Sequence, residues 1–126
     1  MTNKIISTKN APAAVGPYSQ AISAGDFIFV SGQLPIDPST GVFPSDDVKV
    51  LTKQSMDNIC AILHEAGSSM DKIVKTTVYL KSLGDFAAMN EVYASYFKDV
   101  FPARSCFEVA ALPKGAKIEI EAIASR

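Results

Sequence analysis

The spacing of apolar residues changes from the period of a strand to that of a helix and back, twice, along this chain. Helical spacing runs from Val48 to Ala66, where Gly67 follows as a C-terminal cap, and again from Phe86 until Pro102 stops the pattern. Between the two, residues 73–80 (IVKTTVYL) are rich in the β-branched side chains that favour strands. With strand-like segments at both ends, this order predicts an α+β fold, a mixed β-sheet with two helices packed on one face.

The remaining strands are predicted near the two ends of the chain. In order, they cover residues 4–7, 20–24, 27–31, 105–112 and 117–124. Gly25 and Asp26 form a plausible tight turn between the second and third of them. Residues 32–46 hold three of the seven prolines, so we expect a surface loop there.

Several predicted strands carry apolar side chains on both of their sides. Phe27 and Phe29 point to one side of their strand, and Ile28 and Val30 point to the other. Helices packed on one face of the sheet leave the second face uncovered. We therefore expect another copy of the chain to bury that second face, which makes the protein an oligomer.

Length and charge limit the classes of function. The 126 residues are 48% hydrophobic, which fits a single domain over residues 1–126. The 12 basic and 13 acidic residues are scattered, so no nucleic-acid partner is expected. No apolar stretch approaches the roughly 20 residues of a membrane span, and we expect no membrane partner. Two cysteines without CxxC spacing favour the reducing cytoplasm, and a metal site is not expected.

Arg104 and Cys106 share one side of a predicted strand just after Pro102. The planar guanidinium of an arginine binds a carboxylate through two parallel hydrogen bonds, a geometry that lysine cannot reproduce. The alternative is an ion pair with Glu108 or Glu119, which residue type alone favours.

Glu119 and Glu121 alternate with Ile118 and Ile120, so the two carboxylates share a side. In an ordinary half-exposed strand they would simply face solvent. If another subunit covers that side, burial raises the pKa of at least one of them toward the range of general acid–base catalysis.

Two glycine-containing turns flank the first hairpin, at residues 16–19 (GPYS) and 31–33 (SGQ). They offer a phenol, a hydroxyl and exposed backbone N–H groups. Neither has the glycine spacing or the lysine of a phosphate-binding loop, so each taken alone is only a turn.

Six segments in the right order resemble the reactive intermediate deaminase family, the RidA or YjgF group. They are NAPAAVGPYSQ, VSGQLPID, DKIVKTTVYL, DFAAMNEVY, FPARSCFEVA and LPKGAKIEIEAIA, and the resemblance extends from Ile5 to Ser125. It implies a chorismate-mutase-like fold that assembles as a homotrimer, with one pocket at each subunit interface.

The resemblance also implies roles for individual residues. Arg104 would bind the substrate carboxylate, Glu119 would hold and activate the attacking water, and Cys106 would contribute main-chain contacts. The remaining substrate-binding positions match Tyr18, Ser31, Gly32 and Asn90. Relatives often carry arginine where this chain has Ala111, which affects the expected detail of specificity.

The implied activity is hydrolysis of 2-aminoacrylate and 2-aminocrotonate, through their imines, to 2-keto acids and ammonium. Such enamines are released by pyridoxal-phosphate-dependent serine and threonine dehydratases, and the deaminase itself would need no cofactor. We expect Arg104 and Glu119 to meet in one cavity lined by two protomers. The alternatives are a regulatory module that binds keto acids without turnover, and a ribonuclease or translation inhibitor.

Overall fold

A six-stranded mixed sheet carries two α-helices on one face in the computed structural model, which describes residues 3–126. In chain order the elements are β1 (Lys4–Ile6), β2 (Ala21–Ala24), β3 (Phe27–Gln33), α1 (Val48–Glu65), β4 (Ile73–Leu80), α2 (Phe86–Ala94), β5 (Ala103–Glu108) and β6 (Ile118–Ser125). Short 3₁₀ turns cover Met70–Lys72, Leu83–Asp85 and Pro113–Gly115. The predicted fold class is confirmed.

The strand order across the sheet is β1-β2-β3-β6-β4-β5. All neighbours are antiparallel except β4 and β5, which run parallel and are connected through α2. The strand that comes last in the sequence, β6, therefore lies near the centre and pairs with β3 on one side and β4 on the other. β5 is an edge strand, with β4 as its partner.

The core lies between the sheet and the helices. α1 is capped at its start by Asp47, whose carboxylate accepts a hydrogen bond from the backbone N–H of Lys49 at 2.9 Å. It ends before Gly67, which has a left-handed φ of 78°, so the predicted cap is confirmed. The central side chains of the core are completely buried: Ile28, Met56, Ile59, Ile62, Leu63, Val78, Leu80, Met89, Ile118 and Ile120.

Two elements are shorter than the sequence pattern predicts. α2 ends at Ala94, because the next N–H groups, on Ser95, Tyr96 and Phe97, bond three residues back in 3₁₀-type turns. β5 ends at Glu108 instead of continuing to residue 112. Its partner β4 ends opposite that residue, and an edge strand cannot continue without a ladder to pair with.

The face of the sheet opposite the helices is open and partly apolar. Phe27, Phe29 and Phe107 point from it with 44%, 46% and 54% of their surface exposed. The prediction of apolar side chains on both faces is confirmed. A covering subunit remains a prediction. Within residues 3–126, neither helix has the length and apolar character that crossing a membrane requires.

Two buried amide side chains hold the loops that border this open face. The Nε2 of Gln20, which is 3% exposed, donates to the carbonyl oxygen of Pro12 at 2.8 Å. Nδ2 of Asn58 donates to the carbonyl oxygens of Leu34 and Ile36 at 3.2 and 2.9 Å. Because buried amides are costly to leave unsatisfied, these bonds fix the paths of both loops.

Candidate functional site

A cavity of about 820 Å³ opens where β3 and β6 meet the two loops. Its polar lining includes Tyr18, Ser31, Gly32, Lys114, Glu119 and Glu121. Its apolar lining comes from the loops, through Ala13, Val15, Leu34 and Ile36. We call this space the Glu119 cavity. It brings together four residues that the sequence assigned to the site, namely Tyr18, Ser31, Gly32 and Glu119.

Glu119 projects from the centre of the sheet, on the side opposite the buried isoleucines of β6. Burial raises the pKa of its carboxyl group, and the negative charge of Glu121 raises it further. A carboxyl group with a raised pKa holds a proton more readily near neutral pH and can both accept and return one.

Gly32 makes room for this carboxyl group. A Cβ atom at position 32 would lie 2.8 Å from Oε2 of Glu119 and 2.9 Å from its Cδ, closer than such atoms can approach. The backbone of Gly32 does not lie in the left-handed region, so the close approach explains the glycine here.

The Ser31 hydroxyl connects the end of β3 to the segment that carries Tyr18. It donates to the carbonyl oxygen of Ser19 at 2.5 Å, while the backbone N–H of Ser31 donates to the carbonyl oxygen of Gln20 at 2.9 Å. Tyr18 is half exposed at the rim of the cavity. Ser31 therefore holds the wall of the cavity and offers its hydroxyl oxygen as a further acceptor.

Arg104 lies in a second cavity, of about 400 Å³, at the β5 edge of the sheet. We call it the Arg104 pocket; its walls are Asn90, Tyr93, Ala94, Phe101, Pro102 and Arg104 itself. Nη1 of Arg104 donates to Oδ1 of Asn90 at 2.6 Å. The Cζ atom lies 5.0 Å from the ring centroid of Tyr93 and 5.4 Å from that of Phe86, both within cation–π range.

Neither acid of the predicted ion-pair alternative contacts Arg104. The ion pairs among residues 3–126 involve only lysines. Glu108 instead accepts a hydrogen bond from the backbone N–H of Leu83 at 2.9 Å. Arg104 thus has no carboxylate partner in the described chain.

Cys106 lies two residues beyond Arg104 on the same side of β5, as its pairing with Val78 shows. Its side chain packs against the core, outside the walls of both cavities. Burial raises the pKa of the thiol, and the nearby charge of Arg104 offsets part of that rise. A thiol with a raised pKa is a weak nucleophile near neutral pH. The main-chain contacts expected of Cys106 stay a prediction.

Within one chain, Arg104 and Glu119 lie on opposite faces of the sheet. Arg104 pairs with the buried Thr76 of β4, on the helix side, whereas Glu119 pairs with Tyr79 on the open side. Two strand spacings separate them across the sheet, about 10 Å, and three residues along it, about 10 Å more. A cavity that contains both groups needs two chains, and it remains a prediction.

The sequence pattern missed two aromatic residues that contact Arg104 and one wall residue of the Glu119 cavity. Phe86 and Tyr93 lie in the apolar pattern of α2 and read as core positions. The signal that could have found them is Asn90, a polar residue on the same helical face. Lys114 has a left-handed φ of 60°, the only such non-glycine residue within 3–126. The Lys114-Gly115 pair was recognisable as a turn, but its place beside the glutamates was not.

The chain resembles proteins of known family over almost its entire length. The profile of the family described as Endoribonuclease L-PSP matches residues 8–126. A RutC family protein, y4sK, of Sinorhizobium fredii is 58% identical over 120 residues, 95% of each chain. A 2-iminobutanoate/2-iminopropanoate deaminase of Escherichia coli strain K12 is 53% identical over 127 residues, 98% of each chain.

A solved structure shares the fold in detail. The crystal structure of Escherichia coli TdcF with bound serine superposes with a TM-score of 0.94 and 47% identity, covering 98% of both chains. The expected fold therefore has a counterpart in a solved structure with a small amino acid bound.

Proposed function

The chain belongs to the Endoribonuclease L-PSP family, whose members also carry the names RidA, YjgF and RutC, and on this premise we propose that it hydrolyses small 2-imino acids. Pyridoxal-phosphate-dependent dehydratases release the enamines 2-aminoacrylate and 2-aminocrotonate. The substrates of this hydrolysis are the imine tautomers of those two enamines. The products are 2-keto acids and ammonium. The deaminase name of relatives at 53% identity supports this activity.

One observation carries the proposal: Arg104 presents a guanidinium group that no carboxylate of the described chain neutralises. The hydrogen bond to Asn90 occupies Nη1, and the rings of Phe86 and Tyr93 lie against the group. An edge of the guanidinium remains available for a ligand carboxylate, which arginine binds through two parallel hydrogen bonds. Every proposed substrate carries a carboxylate next to its C=N bond.

Glu119 supplies the proton transfers in this mechanism. Its carboxylate accepts a proton from water as the oxygen forms a bond to the imine carbon, and it returns that proton to the nitrogen, which gives a neutral tetrahedral carbinolamine. A second proton, taken from solvent, converts the amine into a leaving group. As the C–N bond breaks and the C=O bond forms, Glu119 accepts the hydroxyl proton and passes it to the departing ammonia, which leaves as ammonium. One positioned acid–base group of this kind contributes about 10²- to 10⁴-fold in rate.

We infer that the working form is an oligomer, because a single chain places the two groups on opposite faces of its sheet, and that it is the homotrimer which the resemblance to the RidA group implies. The open face, with its three exposed phenylalanines, is the surface that further copies would cover. In that assembly Arg104 of one protomer faces Glu119 of its neighbour. Sedimentation velocity of the purified protein tests this state, and a monomer would leave the site incomplete.

The activity is tested by generating 2-aminoacrylate with a serine dehydratase and following pyruvate release with and without this protein. Wild type should accelerate release, and Arg104→Ala should lose at least about 90% of that acceleration, since a carboxylate clamp contributes binding and orientation. The matched control is Arg126→Ala, because Arg126 is the chain's second arginine and its guanidinium donates to the carbonyl oxygen of Gly25, away from both cavities. Full activity of Arg104→Ala would refute the assignment.

A keto-acid-binding module is the second candidate, because the same contacts would hold the product. Serine bound in TdcF shows that a relative accommodates a small amino acid. This function predicts that 2-oxobutanoate binds while imine hydrolysis proceeds at its uncatalysed rate. Salt-sensitive RNA binding or cleavage would instead favour the ribonuclease in the family's description.

A further inference from the structure

Arg104 is held by one face of α2. Phe86, Asn90 and Tyr93 follow one another at spacings of four and three residues, so their side chains project in the same direction. All three contact the guanidinium, two through aromatic rings and one through the amide oxygen. A guanidinium needs no such enclosure to stay on a protein surface, where water solvates it well. The enclosure therefore calls for an explanation.

All three contacting groups are neutral. An aspartate in place of Asn90 would hold the guanidinium at least as firmly, but it would also neutralise it. The rings attract the cation through their quadrupoles and leave its charge available to an incoming anion. The pocket thus restricts the orientation of the side chain and preserves its charge.

The Tyr93 ring is itself held from the sheet. Its hydroxyl shares a hydrogen bond of 2.7 Å with Oγ1 of Thr76, and the side chain is only 3% exposed. Thr76 is the residue of β4 that pairs with Arg104 in the parallel ladder. The ring of Phe97 supports Tyr93 at a centroid distance of 5.1 Å. Arg104 thus pairs with Thr76, Thr76 bonds to Tyr93, and the Tyr93 ring contacts Arg104 again. These three contacts fix the three side chains relative to one another.

We propose that Tyr93 and Phe86 are positioning residues that orient Arg104 so that the edge away from Asn90 meets the substrate carboxylate. This inference rests on the proposed role of Arg104 as the carboxylate anchor. Neither ring is required to touch the reacting carbon. Their effect is expressed as discrimination between ligands that carry a carboxylate and ligands that do not.

The test compares dissociation constants of 2-oxobutanoate and of its uncharged amide, 2-oxobutanamide, by NMR titration. In wild type the acid should bind more tightly than the amide. Tyr93→Leu should reduce this preference by about 5- to 10-fold and Phe86→Leu by about 3-fold, while Tyr93→Phe, which retains the ring, should keep most of it. A purely structural role would weaken both ligands equally and leave the preference unchanged.

Two controls separate the possible failures. Tyr96→Leu removes an aromatic ring that follows α2 and bonds to Asp57, away from Arg104, and should not change the preference. If Arg104→Ala keeps the wild-type preference, the proposed function fails, and the positioning role fails with it. If Arg104→Ala abolishes the preference but both ring variants retain it, only the positioning role is overturned. Phe86 is 38% exposed at the start of its helix, so its variant tests the proposal even if Tyr93→Leu does not fold.

Discussion

The Arg104 pocket and the Glu119 cavity handle charge in opposite ways. Neutral groups surround Arg104, and a guanidinium stays charged in proteins, so this part of the molecule presents a constant positive charge. Glu119 lies beside a second carboxylate in a partly buried position, and its raised pKa makes its charge adjustable. The charge of a group that anchors the substrate must stay constant during a reaction, whereas the charge of a group that transfers protons must change. The difference assigns binding to one region and proton transfer to the other.

The largest effect should come from Glu119→Gln. This change retains the shape of the side chain but removes its ability to exchange a proton, so the acceleration of keto-acid release should fall by about 10²- to 10⁴-fold. Binding of 2-oxobutanoate, measured by calorimetry, should change by no more than about 3-fold, because the anchor is intact. Glu121→Gln, on the same strand and face, removes only a charge that helps to raise the pKa of Glu119, so it should lower the rate far less than Glu119→Gln. Loss of binding without loss of rate would reverse the division of roles.

Mixing two impaired variants tests whether the regions belong to one site. Arg104→Ala and Glu119→Gln chains should each retain no more than about a tenth of the wild-type acceleration. After they are unfolded together in equal amounts and refolded, about a quarter of the interfaces of a random trimer combine an intact Arg104 with an intact Glu119. Activity should therefore return to about a quarter of the wild-type value. If the mixture gains no activity over the separate variants, the two groups do not act across an interface.

Gly32→Ala should have a smaller effect, confined to the Glu119 cavity. The new methyl group would displace the Glu119 carboxyl, and a misplacement of about 1 Å should lower the rate by about 10- to 100-fold. The displaced group ends a flexible side chain, so thermal stability should hardly change. Gly84→Ala is the matched control, since its nearest contact is a serine hydroxyl at 3.2 Å. Unchanged activity would show that the position of the carboxyl is not critical.

The smallest effect concerns stability against pH. Because burial raises the folded-state pKa of Glu119, the folded chain binds its proton more tightly than the unfolded chain does. This contribution to stability is complete below the ordinary value of 4.5 and is lost as pH rises through the raised pKa. Glu119→Gln should remove that loss, so the difference between the melting temperatures at pH 7 and pH 4 should be about 1 to 2 °C more positive in the variant than in wild type. An equal pH dependence in both proteins would contradict it.

Local alternation was sufficient to predict much of the sheet and of the Glu119 side. The isoleucines of β6 are buried and Glu119 faces the open side, as their spacing indicates. Alternation failed where the ladder is irregular. It groups Val74 with Val78, but the register shifts between Ile73 and Lys75, so Ile73 is 6% exposed and Val74 is 43% exposed.

The sequence pattern could not predict features that depend on contacts between distant segments of the chain. The apolar spacing of α2 continues to Phe97, although the helix ends at Ala94. Phe97 lies in the turn that follows and is buried there, as it would be in a longer helix. The pattern therefore does not locate the end of the helix. Likewise, the sequence assigned Arg104 and Glu119 to the site one at a time. Their placement on opposite faces of the sheet depends on which strands flank β6. That order arises from pairings between distant segments.

The central place of β6 also determines the order in which the molecule can fold. The hairpin side, β1-β2-β3, and the parallel side, β4-β5, share no ladder with each other and are joined only through β6. The hairpin side can be synthesised and can collapse against α1, and the parallel side can do so against α2, but the continuous sheet waits for a strand that emerges from the ribosome after all the others. Such distant contacts slow folding, and until they form, β3 and β4 each expose an edge to aggregation.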